Sequence, residues 1–187
     1  IDINGDVSVG GDIMFETFGD GVVDSEGKND VDKGIFVRRQ LHAGGNDITF
    51  VSNGADVRLE AQDGTIASNG GGALNNFSLD LTDASAVLGG SIDANTYSVM
   101  FRESTVAAGP SARTISTIDP STNNQRGVLS GGELGITLNN EVAGKSVAVL
   151  GEDGVIDLVT DVNSLRLSTG NFGTELDYNV TIVNDGN

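Results

Sequence analysis

The strongest constraint on this chain is the period of its apolar residues, which is two. In GGNDITFVSNGADVRLEAQDGTI, residues 44–66, the run Asp47-Ile48-Thr49-Phe50 meets a Gly turn. Asp56-Val57-Arg58-Leu59-Glu60 follows, then another Gly turn, then Thr65-Ile66. Val57, Leu59 and Ala61 alternate with Asp56, Arg58 and Glu60. Phe77, Leu79 and Leu81 alternate with Ser78, Asp80 and Thr82. Leu165 and Leu167 alternate with Ser164, Arg166 and Ser168, and Val180 and Ile182 with Asn179 and Thr181. Such alternation turns one side of an extended segment to a core and the other to water, the pattern of half-buried strands. Spacing of 3.6 never persists, so the sequence predicts an all-β fold with no helix beyond about two turns. The inward positions are expected to include Val57, Leu59, Leu79, Leu81, Ile136, Leu138, Ile156, Leu158, Leu165 and Leu167.

The distances between strands narrow the choice further. Strand starts recur at about nine to eleven residues, and Gly with Asn or Asp punctuates them. A longer interval of about twenty also recurs, as in Val57 to Phe77, Leu79 to Val99 and Ile136 to Ile156. GGDIMF at 10–15 is echoed by GNDITF at 45–50. A coil of two or three short strands cannot bury its inner side alone; stacking on its neighbours buries it. The expected fold is therefore a parallel β-solenoid, with Gly10-Gly11, Gly44-Gly45, Gly89-Gly90 and Gly131-Gly132 at corners. A β-sandwich of pilin-like form, which also turns every eight to twelve residues, is the competing architecture.

Residues 103–132 break the rhythm. They hold both prolines, Pro110 and Pro120, and are rich in Ser, Thr and Asn. Ile115 and Ile118 look too isolated for a core strand, so the segment is expected to be a surface excursion. The chain then reads as one β-rich domain, 1–187, or as two stacked halves, 1–102 and 133–187, joined by 103–132.

Composition excludes several functions. The absence of Cys removes disulfides, thiolate metal sites and a Cys nucleophile. With 27 acidic and 10 basic side chains the net charge is −17, which repels nucleic-acid phosphates and anionic membranes. No apolar run is long enough to span a bilayer as a helix. Trp is absent and aromatics are 5%, which argues against an aromatic-walled sugar cleft. The first residue is Ile1, which fits a secreted chain after removal of its signal or a segment of a longer protein.

The one pointed cluster is GDGVVDSEGKNDVD at 19–32. Asp20, Asp24, Glu26, Asp30 and Asp32 offer hard oxygens on a Gly-rich loop, the donor type that calcium takes. The spacing is not that of an EF-hand, and a solvated acidic loop is the plainer reading. GGSIDANTY at 89–97 departs from the calcium nonapeptide at Ile92. His42, the only histidine, lacks a nucleophile elbow around any Ser and is expected at a strand end. Asp56, Asp80 and Asp157 are outward carboxylates of the kind a β-helical glycosidase or lyase would use, but outward acids are expected on every strand here. Asn76-Phe77-Ser78 and Asn179-Val180-Thr181 fit the glycosylation triplet, which an Asn-rich chain produces by chance. Arg38-Arg39 reads as a local source of ion pairs.

The runs GNDITFVSNGADVRLEAQDGTI, GVIDLVTDVNSLRLSTGN and NNFSLDLTDASAVLGGSIDAN resemble the degenerate repeats of filamentous-haemagglutinin-type bacterial exoproteins. The resemblance extends over 1–102 and 133–183. It implies a right-handed β-helix, an extracellular or cell-surface location and a part in fibres or adhesion, and it brings no catalytic motif. The function expected is a non-catalytic structural or adhesive module of a surface fibre, sheath or giant adhesin. Its partner would be itself, as a homopolymer or as neighbouring repeats of a longer chain, with a surface glycan as a further ligand. Ile1, Ile3, Val7 and Val9 look like an edge strand able to extend a neighbour's sheet. A polysaccharide-binding or polysaccharide-degrading β-helix is the alternative.

Overall fold

The computed structural model describes residues 1–18, 34–44, 46–60, 65–68, 72–82, 84–102, 114–119, 125–139, 154–169 and 178–184. Among them every regular element is a strand. Fifteen strands form one sheet, and all its pairings are parallel. They fall into three stacks that the chain visits in turn.

The first stack runs β1 (Asp2–Ile3), β4 (Ile35–Val37), β7 (Val57–Leu59), β10 (Ala86–Leu88), β12 (Thr114–Ser116), the start of β16 (Gly154–Thr169) and β17 (Tyr178–Asn184). The second runs β2 (Val7–Ser8), β5 (Leu41–His42), β8 (Thr65–Ser68), the start of β11 (Ser91–Arg102), the start of β15 (Leu129–Asn139) and the middle of β16. The third takes β3 (Ile13–Phe18), β6 (Ile48–Asn53), β9 (Leu74–Thr82) and the remainders of β11, β15 and β16. A chain that passes from first stack to second to third, and then returns one level on, is consistent with a β-solenoid. The antiparallel pair β13 (Ile118–Asp119) with β14 (Gln125–Arg126) is the one departure, a small hairpin between the first and second strands of its coil.

Parallel register carries each inward side chain onto an inward one in the next coil, and in places onto one of the same kind. The echo GGDIMF and GNDITF is such a match: Ile13 pairs with Ile48 and Phe15 with Phe50. Leu79 pairs with Val99, twenty positions on, as the spacing predicts. Elsewhere the coils are longer. Val57 pairs with Ala86 rather than lying under Phe77, and Ile136 pairs with Leu167, not Ile156. The longest step takes Ile115 to Ile156. The extra residues fall between the paired strands, so the pairing recurs while its interval in sequence varies.

The inward rows make the core. Val57, Leu59, Leu79, Leu81, Ile136 and Leu158 are all buried, as expected. Each such side chain contributes roughly 1.5–3 kcal/mol by leaving water. Phe15, Phe50, Phe77 and Tyr97 form a ladder, with centroids 5.2, 5.8 and 6.1 Å apart in successive pairs. For Leu138 and Ile156 only the backbone is described.

Three expectations need correction. Ile115 is a core residue, 1% exposed in β12. A strand of three residues suffices because β10 and β16 hold it from both sides. Leu165 and Leu167 are each 46% exposed. They share rows with Leu134 and Ile136, so their side is the inward one; what they lack is a described strand beyond them. Residues 1–9 are not one strand: a corner at Asn4-Gly5 divides β1 from β2.

Gly doublets do mark corners. Gly10-Gly11 precedes β3, Gly44 lies between β5 and β6, and Gly89-Gly90 lies between β10 and β11. At Gly131 the reason is explicit: its φ is 123°, and a Cβ there would run into the carbonyl oxygen of Ala94 in the coil below.

Candidate functional site

The acidic loop Asp20, Asp24, Glu26, Asp30 and Asp32 lies outside the described residues. Among the described residues no three carboxylate or imidazole groups approach closely enough to hold a metal ion. No helix there is long and apolar enough to cross a membrane.

The outward carboxylates are not brought together. Asp56 sits in the turn before β7, where Oδ1 accepts the Ser85 N–H at 2.9 Å. Ser85 Oγ in turn accepts the Thr114 N–H at 3.1 Å, so this carboxylate heads a polar ladder that fastens three coils. Asp80 is half-buried in the third stack, between Val51 and Met100. Asp157 lies in the first stack, three strand spacings above the level of Asp56, or roughly 14 Å. Paired glycosidase carboxylates stand about 5 to 9.5 Å apart.

His42 ends β5, as expected, with Nε2 3.2 Å from Gln40 Oε1 and with Ser8 and Ser68 beside it in register. Arg38 does form ion pairs. Its Nη1 meets Glu60 at 2.9 Å and its Nε meets Asp2 at 3.4 Å, while its guanidinium lies over the Phe36 ring at 5.9 Å. Arg58 Nε stands 3.4 Å from Glu60, and the chain of charges ties β1, β4 and β7 together.

A second polar ladder escaped the sequence reading. Asp47 N–H donates to Asp12 Oδ1 at 3.2 Å, and Asp47 Oδ1 accepts from Asn75 and Asn76 at 3.1 and 2.9 Å. Its signal is the Asp before each inward Ile in GGDIMF and GNDITF, which alternation alone assigns to solvent. Tyr97 was missed as well. Its hydroxyl reaches the carbonyl oxygens of Ile92 at 2.7 Å and Ser130 at 2.6 Å, bridging two coils. Burial, with Asp93 nearby, pushes this phenol well above its ordinary range, while the backbone hydrogen bonds pull the other way.

What remains chemically open is at the two edges of the stack. On the β1–β3 edge Ile1, Val9 and Met14 are exposed, and the inward Ile3, Val7 and Phe15 are only partly buried. On the other edge β17 covers β16 over Gly154–Thr160. Residues 161–169 have no further described strand beside them, and Leu165 and Leu167 stand bare. Each edge offers a line of backbone donors and acceptors beside apolar side chains, the chemistry of strand addition. The edges are the site that pairing creates. Compared with known proteins, the chain matches no family model, no curated protein and no solved structure.

Proposed function

We propose that this protein is a non-catalytic structural or adhesive module of an extracellular fibre, sheath or large adhesin. It is a right-handed β-helix whose stack is continued by further coils through its strand edges. The observation that carries the reading is the pair of edges with apolar inward residues left bare, Val9 at one and Leu165 and Leu167 at the other. Strand edges of this kind add strands unless something blunts them. The right hand follows from the general preference of parallel crossovers, about 98%. The net charge of −17 supports solubility outside the joints. The further coils come from a second copy or from more of the same polypeptide.

Sedimentation over a wide concentration range tests this. The protein is expected to associate lengthwise into rods, and the double variant Leu165→Asp/Leu167→Asp to remain monomeric while still folded. A protein that stays monomeric at every concentration, before and after the substitutions, would overturn the self-associating form of the proposal.

A further inference from the structure

We propose that copies join head to tail by strand exchange: β17 of one copy takes the place of β1 in the next, and β2 and β3 of that next copy pair with the bare edge of β16. This rests on the self-association proposed above and specifies its joint.

The registers make β1 and β17 equivalent. Asp2 pairs with Phe36 and Ile3 with Val37, which sets Ile1 opposite Ile35. At the far end Val180 pairs with Ile156 and Ile182 with Leu158. Those rows are the same two, followed through β7, β10 and β12. Val180-Thr181-Ile182 therefore matches Ile1-Asp2-Ile3 position for position, apolar, polar, apolar.

The outline of the far edge decides the geometry. β17 extends the first stack one level beyond the second and third. In a chain that climbs one level per coil, the strands after β17 belong to the second stack and then the third. Those are the places of β2 and β3. A copy that keeps β1 cannot fill them, because its β1 and the host β17 would claim the same level. A copy that releases β1 can: its β3 lies along the edge from Leu165, Ser8 of its β2 falls at Asp161, Val7 falls at Thr160 where Asn184 of the host must give way, and its β4 receives β17.

The exchange offers new partners to the two β4-side amides that β1 serves. Phe36 N–H donates to Ile1 O at 2.8 Å and Arg38 N–H to Ile3 O at 3.0 Å; carbonyls of the incoming β17 replace both. β1 is held on β4 by only two paired residues, whereas β17 is anchored on β16 of its own copy by seven. Side chains agree on the ledge. The row of Leu165 continues into Ile13 and that of Leu167 into Phe15. Arg166 then falls opposite Met14, flanked diagonally by Asp12 and Glu16. Diagonal partners stand roughly 7–8 Å apart between backbones, within reach of an arginine.

The chain has no Cys, so engineered thiols report without background. Full-length Val183→Cys is mixed with full-length Arg38→Cys under mild oxidation, and separately with full-length Asn4→Cys. Exchange sets position 183 beside position 38 of the neighbour, whereas end-on stacking that retains β1 sets it beside position 4. A disulfide in the first mixture and none in the second is expected. The reverse result, or association with no disulfide in either mixture, would overturn the exchange and leave self-association standing. A monomer throughout would overturn both. A second arm leaves Arg38 intact and removes residues 1–4. Exchange predicts that association then sets in at about tenfold lower concentration, since the competing strand is gone. An unchanged or higher threshold would overturn it.

Discussion

Leu134 and Ile136 in β15, and Leu165 and Leu167 in β16, are the same kinds of residue at the same places in the same two rows. The first pair is at most 1% exposed and the second is 46% exposed. One strand of height separates them. Alternation along a segment decides which way a side chain points; burial is decided by whether another coil lies beyond it. The two properties coincide in a hairpin sheet packed on a second layer, and they separate at the edge of a stack. A row therefore has interior members that hold the fold together and edge members that are free to hold something else.

The largest effect should come from exploiting that difference with one substitution. Ile136→Asp buries a carboxylate in the core, and is expected to destabilise by on the order of 4 kcal/mol or more, or to prevent folding. Leu167→Asp, its row partner, leaves the charge in water and should cost under about 1 kcal/mol. Urea unfolding of the two variants gives the comparison directly. Equal destabilisation would mean that the edge is covered as well as the interior.

Tyr97 tests the interior alone. Its hydroxyl serves carbonyls of its own strand β11 and of β15. Tyr97→Phe keeps the ring in its ladder but removes the one hydroxyl proton that the two carbonyls share, a loss of about 1–3 kcal/mol. There is also a signature in pH. Burial raises the folded pKa above the unfolded value near 10, so the neutral phenol is favoured by folding. That contribution is fully present below about pH 10 and is lost as pH rises toward the folded pKa. Alkaline unfolding monitored by urea midpoint should therefore steepen above about pH 10 in the parent and less so in Tyr97→Phe.

The same distinction explains what could be read in advance. The stacking of GGDIMF on GNDITF was visible because both residues of each inward pair, Ile13 with Ile48 and Phe15 with Phe50, stayed alike. Coil length was not visible. Only inward rows must match, and the intervals between paired strands are free to vary, so Leu79 finds Val99 at twenty positions while Ile115 finds Ile156 at forty-one. Ile115 was passed over because its strand contributes a single inward residue, too little for any periodicity within the chain. Leu165 and Leu167 were assigned the correct side and the wrong environment. No local pattern records how many coils come after. An edge at Ile1, Ile3, Val7 and Val9 was legible in the alternation, but the bare stretch at 161–169 was hidden, since it exists only once the pairing is known, whereas the acidic run 19–32 is conspicuous in any composition.

That acidic run bears on the edge next. It connects β3, in the outermost coil, with β4 in the second. If calcium binds through Asp20, Asp24, Glu26, Asp30 and Asp32, it should stabilise the outer coil more than the centre. At tenfold excess over Kd the linkage is worth roughly 1.4 kcal/mol. Hydrogen exchange with calcium and with chelator is expected to differ over β1 to β3 and hardly at all over β9 and β11. An equal response to monovalent salt would identify general screening of the net negative charge instead.

The smallest effect is expected at Arg38. Its pair with Glu60 is the better sheltered, the glutamate being 16% exposed, while Asp2 is 52% exposed and Arg38 itself 46%. Solvent screening at such sites limits the whole set to under about 1 kcal/mol, weaker still in high salt. Arg38→Gln should accordingly leave the global urea midpoint nearly unchanged. Locally the result should be plain, because Arg38 is the side chain that ion-pairs with β1 from the coil behind it. The amides of Phe36 and Arg38 donate to β1 carbonyls, and in Arg38→Gln their exchange should quicken several-fold while β9 and β11 amides keep their rates. Loosening β1 should also favour its replacement by β17 of a neighbour, so the same variant is expected to associate at lower concentration. If Arg38→Gln instead lowers the global midpoint as far as Tyr97→Phe does, the outer coil unfolds with the interior as one unit, and the separation between row interior and row edge fails.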